Sequence, residues 1–309
     1  MSKDYPINQS RLFKQSNKRK LAELLKVSTK DIQSILIAPK SYRLFSTKPK
    51  YPSNAPELKH KSRNIQEPIG LLRKIQDRLT ELLVRIETPE YLFSAKKGRS
   101  YLSNARSHRG NGQAIRIDIK GFYQNASDRY VRRFFRDDLQ CSSDIAHILT
   151  ELICWNGCLP TGSPVSPIIS YFAYRPMFDE LHALALSVDA VMTVYVDDIV
   201  FSGHGVNGGL IPIAKEIIKK SGLKGHKISR FRKNQPKIIT GAVLMPDGQL
   251  CIPNKRHRKI RALEREYRSA TNPDYREIYR KALIGQYREG SNLDPSFLGK
   301  AKQLENEAI

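Results

Sequence analysis

Three acidic residues in two distant stretches are the first to suggest chemistry: Asp118 in AIRIDIKGF (114–122), and the adjacent Asp197 and Asp198 in VMTVYVDDIVFSG (191–203). The first run alternates Ile115, Ile117 and Ile119 with Arg116, Asp118 and Lys120, the period-two pattern of a half-buried strand. The second has β-branched residues on both sides of the acids, which predicts a β-hairpin with two carboxylates at its tip. Adjacent carboxylates repel one another, and a bound cation relieves them. One strand acid and two hairpin acids suit phosphoryl transfer to a nucleotide, in which two Mg2+ ions about 4 Å apart activate a hydroxyl and stabilise the departing pyrophosphate. Taken alone, an Asp-Asp pair is also a common solvated turn. The apolar strands around it and the upstream acid favour the metal site.

The elements that must position these acids are legible in part. Residues 19–37 read as two short helices, with Ser28 and Asp31 as a capping box for the second. This helix-turn-helix texture suits either a DNA reader or, more simply, a helical pair packed on the rest of the chain. Residues 38–68 contain Pro39, Pro49, Pro52, Pro56 and Pro68 and predict loops and short strands. After Pro68, which suits a helix start, Ile69, Leu72, Ile75, Leu79, Leu82, Leu83 and Ile86 form an amphipathic face. Residues 128–155 are helical in texture. Ser166 then predicts a helix cap with Pro167 in the first turn. A helix near 210–221, strands at Ile238–Leu244 and Gln249–Ile252, and two basic helices after Lys255 complete the pass, the second opened by Asn272 and Pro273 with a face of Tyr275, Ile278, Tyr279, Ala282 and Leu283.

Composition narrows the partners. The 309 residues hold 53 Lys+Arg against 30 Asp+Glu, a net +23 that favours polyanions, nucleic acid first. Hydrophobic residues make up 40% and are periodic, so the chain folds rather than staying disordered. No run reaches the 18 to 20 or so apolar residues of a membrane span, and MSKDYPINQS has no signal-peptide core. Cys141, Cys154, Cys158 and Cys251 form no C-x2-C metal pattern, and a reduced, cytoplasmic setting is expected.

Several motifs in this order resemble the reverse transcriptases. Tyr195-Val196-Asp197-Asp198 resembles their Y-x-D-D motif, and IRIDIKGFY their strand with the first catalytic aspartate. The resemblance implies that Asp118 and Asp197 bridge both metals, with Asp198 as auxiliary acid. Leu159–Pro167 resembles the loop and helix that support template and nucleotide, with Thr161 in place of the usual glutamine before Gly162. Lys61 and Arg63 resemble triphosphate-holding residues; plain surface charge is nearly as good an account. Tyr123, five residues after Asp118, matches the aromatic gate that excludes a ribose 2′-OH, which implies deoxynucleotide substrates; an aromatic at a strand end is also ordinary core. Lys227 matches a lysine near the leaving group.

Two further patches resemble bacterial retron reverse transcriptases: NARSH at Asn104–His108, and Ile239-Thr240-Gly241, where the family has V-T-G. Asn104 is also readable as a turn cap and His108 as a structural hydrogen-bond donor. The resemblance implies an α+β right-hand polymerase: an N-terminal helical and basic extension (1–58), fingers (59–113), a palm with an antiparallel sheet (114–252, with fingers helices at about 128–158) and a helical thumb (253–309). It implies a structured noncoding RNA as template and primer, synthesis from a 2′-OH of a guanosine in that RNA, dNTPs as substrates and multicopy single-stranded DNA (msDNA) as product. Asn104, His108, Thr240, Gly241, Arg256, Arg258 and Lys259 are the expected RNA contacts. With the length taken up by these parts, RNA removal falls to a host RNase H, and an effector protein in antiphage defence is the expected partner. Other compact reverse transcriptases, from introns or diversity-generating elements, and a noncatalytic RNA-binding scaffold are the alternatives.

Overall fold

A computed structural model describes residues 4–38, 41–48, 50–59, 61–110 and 112–307, so Pro39 and Pro49 lie outside the described residues. The chain begins with α1 (Lys18–Leu25) and α2 (Thr29–Ile37). Asn17 accepts from the Arg19 and Lys20 amides, and Ser28 and Asp31 form the expected reciprocal capping box. Leu21, Leu24, Leu25 and Ile32 enter the main core with Leu12, and α1 and α2 pack on later helices. The pair is therefore a packing unit, and the boundary expected at residue 58 does not coincide with a break in the core.

β1 (Tyr42–Ser46) and β2 (Asn64–Pro68) form an antiparallel ribbon, Tyr42 opposite Pro68 and Ser46 opposite Asn64. Pro68 thus ends a strand instead of opening a helix, a position where a missing amide is tolerated. α3 (Gly70–Leu83) follows and buries Leu72, Ile75, Leu79, Leu82 and Leu83, while Ile69 stays exposed at its N-cap. α4 (Tyr101–Arg106) is capped by Ser100. Next come β3 (Gln113–Ile119), α5 (Phe122–Asn125), α6 (Asp128–Arg133) running into a π turn at Phe134–Asp138, and α7 (Ser143–Ile153). α8 (Ser166–Leu186) kinks at Tyr174, two residues before Pro176. Ser166 is its first residue and not its cap: its hydroxyl donates to Pro160 O at 2.7 Å.

β4 (Val191–Tyr195) and β5 (Asp198–Gly203) form the predicted hairpin; α9 (Leu210–Lys220) and β6 (Gly225–Phe231) follow. The strand expected over Ile238–Leu244 is two, β7 (Lys237–Ile239) and β8 (Ala242–Leu244), because Thr240 and Gly241 both turn at positive φ; β9 (Leu250–Cys251) completes this small sheet. The central sheet has the order β4-β5-β3-β6, all antiparallel. Ile115, Ile117, Ile119, Met192, Val194, Ile199 and Phe201 pack into the main core with α8. The alternate residues, Arg116, Asp118, Asp198 and Val200 among them, therefore share the opposite face. Val200 packs there against Ala105, Ile239, Ala242 and Leu244.

α10 (Asn254–Ser269), α11 (Pro273–Gly290) and α12 (Ser296–Asn306) enclose a separate core of Ile260, Leu263, Tyr279, Leu283, Tyr287 and Phe297, joined by Leu58 and Ile252. On α11, Tyr275 and Ile278 are exposed and Tyr287 takes their expected place inward. The whole is an α+β arrangement. Among the described residues, no helix is long and apolar enough to cross a membrane, and the four cysteines form no disulfide.

Candidate active site

The register of the central sheet brings the acids together. Asp118 of β3 is the Cα partner of Asp198 of β5, and Asp198 also pairs with Tyr195 across the hairpin. Val196 and Asp197 alone make the turn. Val196 sits at φ +60, a costly conformation for a β-branched residue, about 1–3 kcal/mol. Two hydrogen bonds hold it there: the Val196 amide donates to Ser94 Oγ at 3.1 Å, and Ile119 N–H donates to Asp197 O at 2.8 Å. The hairpin tip is thereby bent onto the end of β3, beside Asp118.

The three carboxylates have different surroundings. Asp118 Oδ1 lies 2.9 Å from His226 Nδ1, and its Oδ2 lies 4.0 Å from Lys227 Nζ. Burial raises the Asp197 carboxyl above its usual range; Asp118 adds to this, while Arg116 and Lys227 oppose it. Asp198 is 7% exposed and receives Arg116 Nε at 2.6 Å. Burial still raises its carboxyl, with Asp197 and Asp118 adding to the shift against Arg116. Among the described residues no three His, Cys, Asp or Glu side chains form a preassembled ligand group. Asp118 and Asp197 nevertheless fit a hard divalent cation by chemistry: both are oxygen donors, and a bound positive charge relieves the repulsion between them. Asp198, already neutralised by Arg116, is the least available of the three.

Tyr123, on α5, is half-buried, and its phenol is pushed well up by burial, then by Asp197 and Tyr195. The gate candidate therefore stands within the electrostatic reach of the hairpin acid. The Leu159–Pro167 loop is stitched to the β1–β2 ribbon. The Gly162 amide donates to Gln66 O at 3.1 Å, and a Cβ there would lie 2.6 Å from that oxygen, so only glycine fits. Thr161 Oγ1 lies 3.0 Å from both Asn64 O and Gln66 Oε1, which gives the residue in the glutamine position a role in joining loop to strand. Lys61 and Arg63 are exposed ahead of β2, and the Arg63 amide donates to Thr47 Oγ1. The contacts of these acids are with Arg116, His226 and Lys227, and none is with Lys61 or Arg63 among the described residues.

Two of the expected RNA contacts, Asn104 and His108, are buried and need correction, and both connect to a third, the half-buried Thr240, or to the hairpin. Asn104 is fully buried, and its Nδ2 donates to Thr240 Oγ1 at 3.2 Å; Thr240 in turn donates to Tyr101 O. His108 is buried between Ser202 Oγ and Thr193 Oγ1, each 2.7 Å from a ring nitrogen. Burial, helped by Lys237, pushes its pKa down to about 3, so the ring is neutral. Asn104, Thr240 and His108 thus brace α4 against the β7–β8 turn and the hairpin, and the buried Asn104 and His108 are closed off from solvent, while Thr240 is half-buried. Gly241, exposed at φ +94, and Arg256, Arg258 and Lys259 instead line a cleft of about 1060 Å³ that Arg116 also reaches. Arg256 faces Glu289 at 3.5 Å, and Lys259 lies over the Tyr51 ring at 5.6 Å.

Arg116 and His226 are functional candidates that sequence reading missed. Arg116 shares a strand face with Asp118 two residues away, a signal that was present. For His226 there was none, since β6 has no clean alternation and a register irregularity opposite Arg116–Asp118.

No protein-family model matches the chain. Curated relatives do. The chain is similar to the Retron Se72 reverse transcriptase of Salmonella heidelberg, with 31% identity over 147 residues, 46% of this chain and 38% of that protein. It is similar to the Retron Ec86 reverse transcriptase of Escherichia coli, with 22% identity over 260 residues, 80% of this chain and 77% of that one. The Retron Mx162 reverse transcriptase of Myxococcus xanthus is 25% identical over 183 residues, 49% of this chain and 38% of that protein. The chain therefore spans under two fifths of the Se72 and Mx162 enzymes and about three quarters of Ec86. Several relatives of one kind, matched over overlapping lengths of a chain with paired strand and hairpin acids, lead to one conclusion: the chain is homologous to the retron reverse transcriptases.

Proposed function

We propose that this protein is an RNA-directed DNA polymerase that copies part of a structured noncoding RNA into single-stranded msDNA, starting from a 2′-OH of a guanosine in the same RNA. The observation that carries the reading is the meeting of Asp118, on a strand, and Asp197, in a hairpin turn about 80 residues later in sequence, beside Tyr123 and near a cleft lined by Arg256, Arg258 and Lys259. Asp118 and Asp197 are the residues to hold two Mg2+ ions, whose charge when bound favours the ionised attacking hydroxyl and offsets charge on the leaving pyrophosphate. Asp198 keeps Arg116 fixed beside them. His226, against Asp118 Oδ1, orients that carboxylate, and Lys227 adds positive charge on the same side.

Tyr123 stands where a ring would collide with a ribose 2′-OH and so selects deoxynucleotides. The exposed Lys61 and Arg63 are placed in this reading on the triphosphate, and Gly162 lets the loop approach β2 closely enough to form the floor under it. Arg256, Arg258 and Lys259 hold the backbone of the RNA and the growing duplex through phosphates and 2′-hydroxyls. The N-terminal helices and residues 59–113 act as fingers, the central sheet as palm and α10–α12 as thumb. Host RNase H removes copied RNA, and an effector protein works beside the enzyme in antiphage defence in the cytoplasm. Sequencing the nucleic acid that copurifies with the protein tests the reading. A branched RNA–DNA molecule is expected, and linear RNA alone would contradict it.

A further inference from the structure

α6 and the π turn after it hold a second basic site. Arg129, Arg132, Arg133 and Arg136 are spaced so that they share one helix face, and with Asp128 and Tyr130 they line a cavity of about 560 Å³. Arg133 is its fixed wall: Nη2 donates to Ala173 O at 3.0 Å and lies 3.7 Å from Asp138, which also takes Arg175. The other three are exposed. Arg136 pairs with Asp137, Arg132 donates to His147 Nδ1, and Arg129 lies over the Tyr130 ring at 4.8 Å. Each guanidinium has five N–H donors, so these contacts leave most of them directed at solvent.

This cavity is distinct from the acid site. Tyr130 packs 4.7 Å from Tyr174, Tyr174 lies 5.6 Å from Phe122, and Phe122 stacks on Tyr123, so an aromatic layer separates the arginines from the gate side chain. It shares no lining residue with the cleft of Arg256, Arg258 and Lys259. A ligand held here is therefore neither the incoming nucleotide nor the duplex being made. Planar arginine forks beside a tyrosine and an Arg-on-ring stack suit phosphates and unstacked bases together, which an acidic peptide would use only in part.

We propose that the arginine cavity is a second RNA site, holding the phosphate backbone of a part of the RNA that is not being copied. The inference rests on the polymerase reading for its choice of RNA. Its test is the full chain with Arg129→Gln, Arg132→Gln and Arg136→Gln combined, Arg133 being left to brace the fold. One probe is poly(rA)·oligo(dT), which fills only the copying cleft. The other is the same duplex extended by an RNA hairpin of about 20 base pairs. The variant is expected to incorporate dTTP on the first probe within about twofold of the parent, to bind the second about tenfold more weakly, and to lose about two from the slope of log affinity against log salt. The triple lysine variant should recover most of that affinity, which separates lost charge from lost structure.

Equal affinity and slope on the hairpin probe would overturn the proposal, as would equal losses on both probes. Arginine-dependent binding of poly-glutamate with RNA binding untouched would also overturn it, in favour of a protein partner. A parent that grips the hairpin through these arginines yet incorporates nothing on poly(rA)·oligo(dT) would support the cavity and refute the polymerase.

Discussion

At 2.6 Å from Asp198, Arg116 Nε compensates a carboxylate that has lost nearly all of its water. Removing only the cation leaves the buried charge unpaired, and Arg116→Ala is expected to cost about 3 kcal/mol in denaturant unfolding, with the Arg116→Met/Asp198→Leu pair recovering most of it. A loss well below 1 kcal/mol would mean that the pair is not a buried charge balance. Tyr123 permits a sharper test of chemistry. Tyr123→Val is expected to raise the ratio of rNTP to dNTP incorporation about tenfold or more by removing a clash, and an unchanged ratio would remove its role as a gate. The strand and the hairpin that carry the acids were legible because the alternation along the chain is itself the signal. For Arg116 only the strand face it shares with Asp118 shows in the sequence, and for His226 nothing does, because their partners come from other strands and the pairing exists only once the register is set.

The element that steadies the hairpin on its acid-bearing face is the α4 brace. Its His108 is neutral in the fold, with a pKa of about 3 against an ordinary 6.5. The unfolded chain binds a proton there below about pH 6.5 and the folded chain does not, so this contribution is complete above that pH and is lost as pH falls toward 3. Between pH 7.5 and 5 the parent should lose about 2 kcal/mol through this group, measured by urea unfolding, and His108→Gln should lack that component. Parallel pH dependence in parent and variant would contradict it. Long amphipathic helices such as α3 and the capping box of α2 were readable from periodicity and local chemistry. β6 was not, because its exposed polar residues and the bulge opposite β3 hide the alternation, and the β7–β8 turn was missed because Thr240, not only Gly241, takes a positive φ. NARSH read as an RNA motif, yet its Asn104 and His108 serve the brace, since burial and not residue type decides whether a side chain can reach a ligand.

Across the whole molecule, a net charge of +23 faces an acid pair that only cations can relieve. RNA affinity is expected to fall steeply with salt, with a log–log slope steeper than about −3, and a flat titration would contradict a phosphate grip by the cleft and the helical unit beside it. Overall charge and helical texture announced such a partner. The placement of residues 4–38 in the central core did not show in the sequence, because packing partners more than 50 residues away leave no local mark. The account as a whole stands on two carboxylates serving one reaction. Its most direct test is template-primed dNTP incorporation in Mg2+ by the parent and by Asp197→Asn, with RNA affinity measured on the same samples. A loss of about a thousandfold or more in rate with RNA affinity kept is the predicted result, the scale expected when several kcal/mol of charge stabilisation are removed. Incorporation by Asp197→Asn at the parental rate would contradict the account.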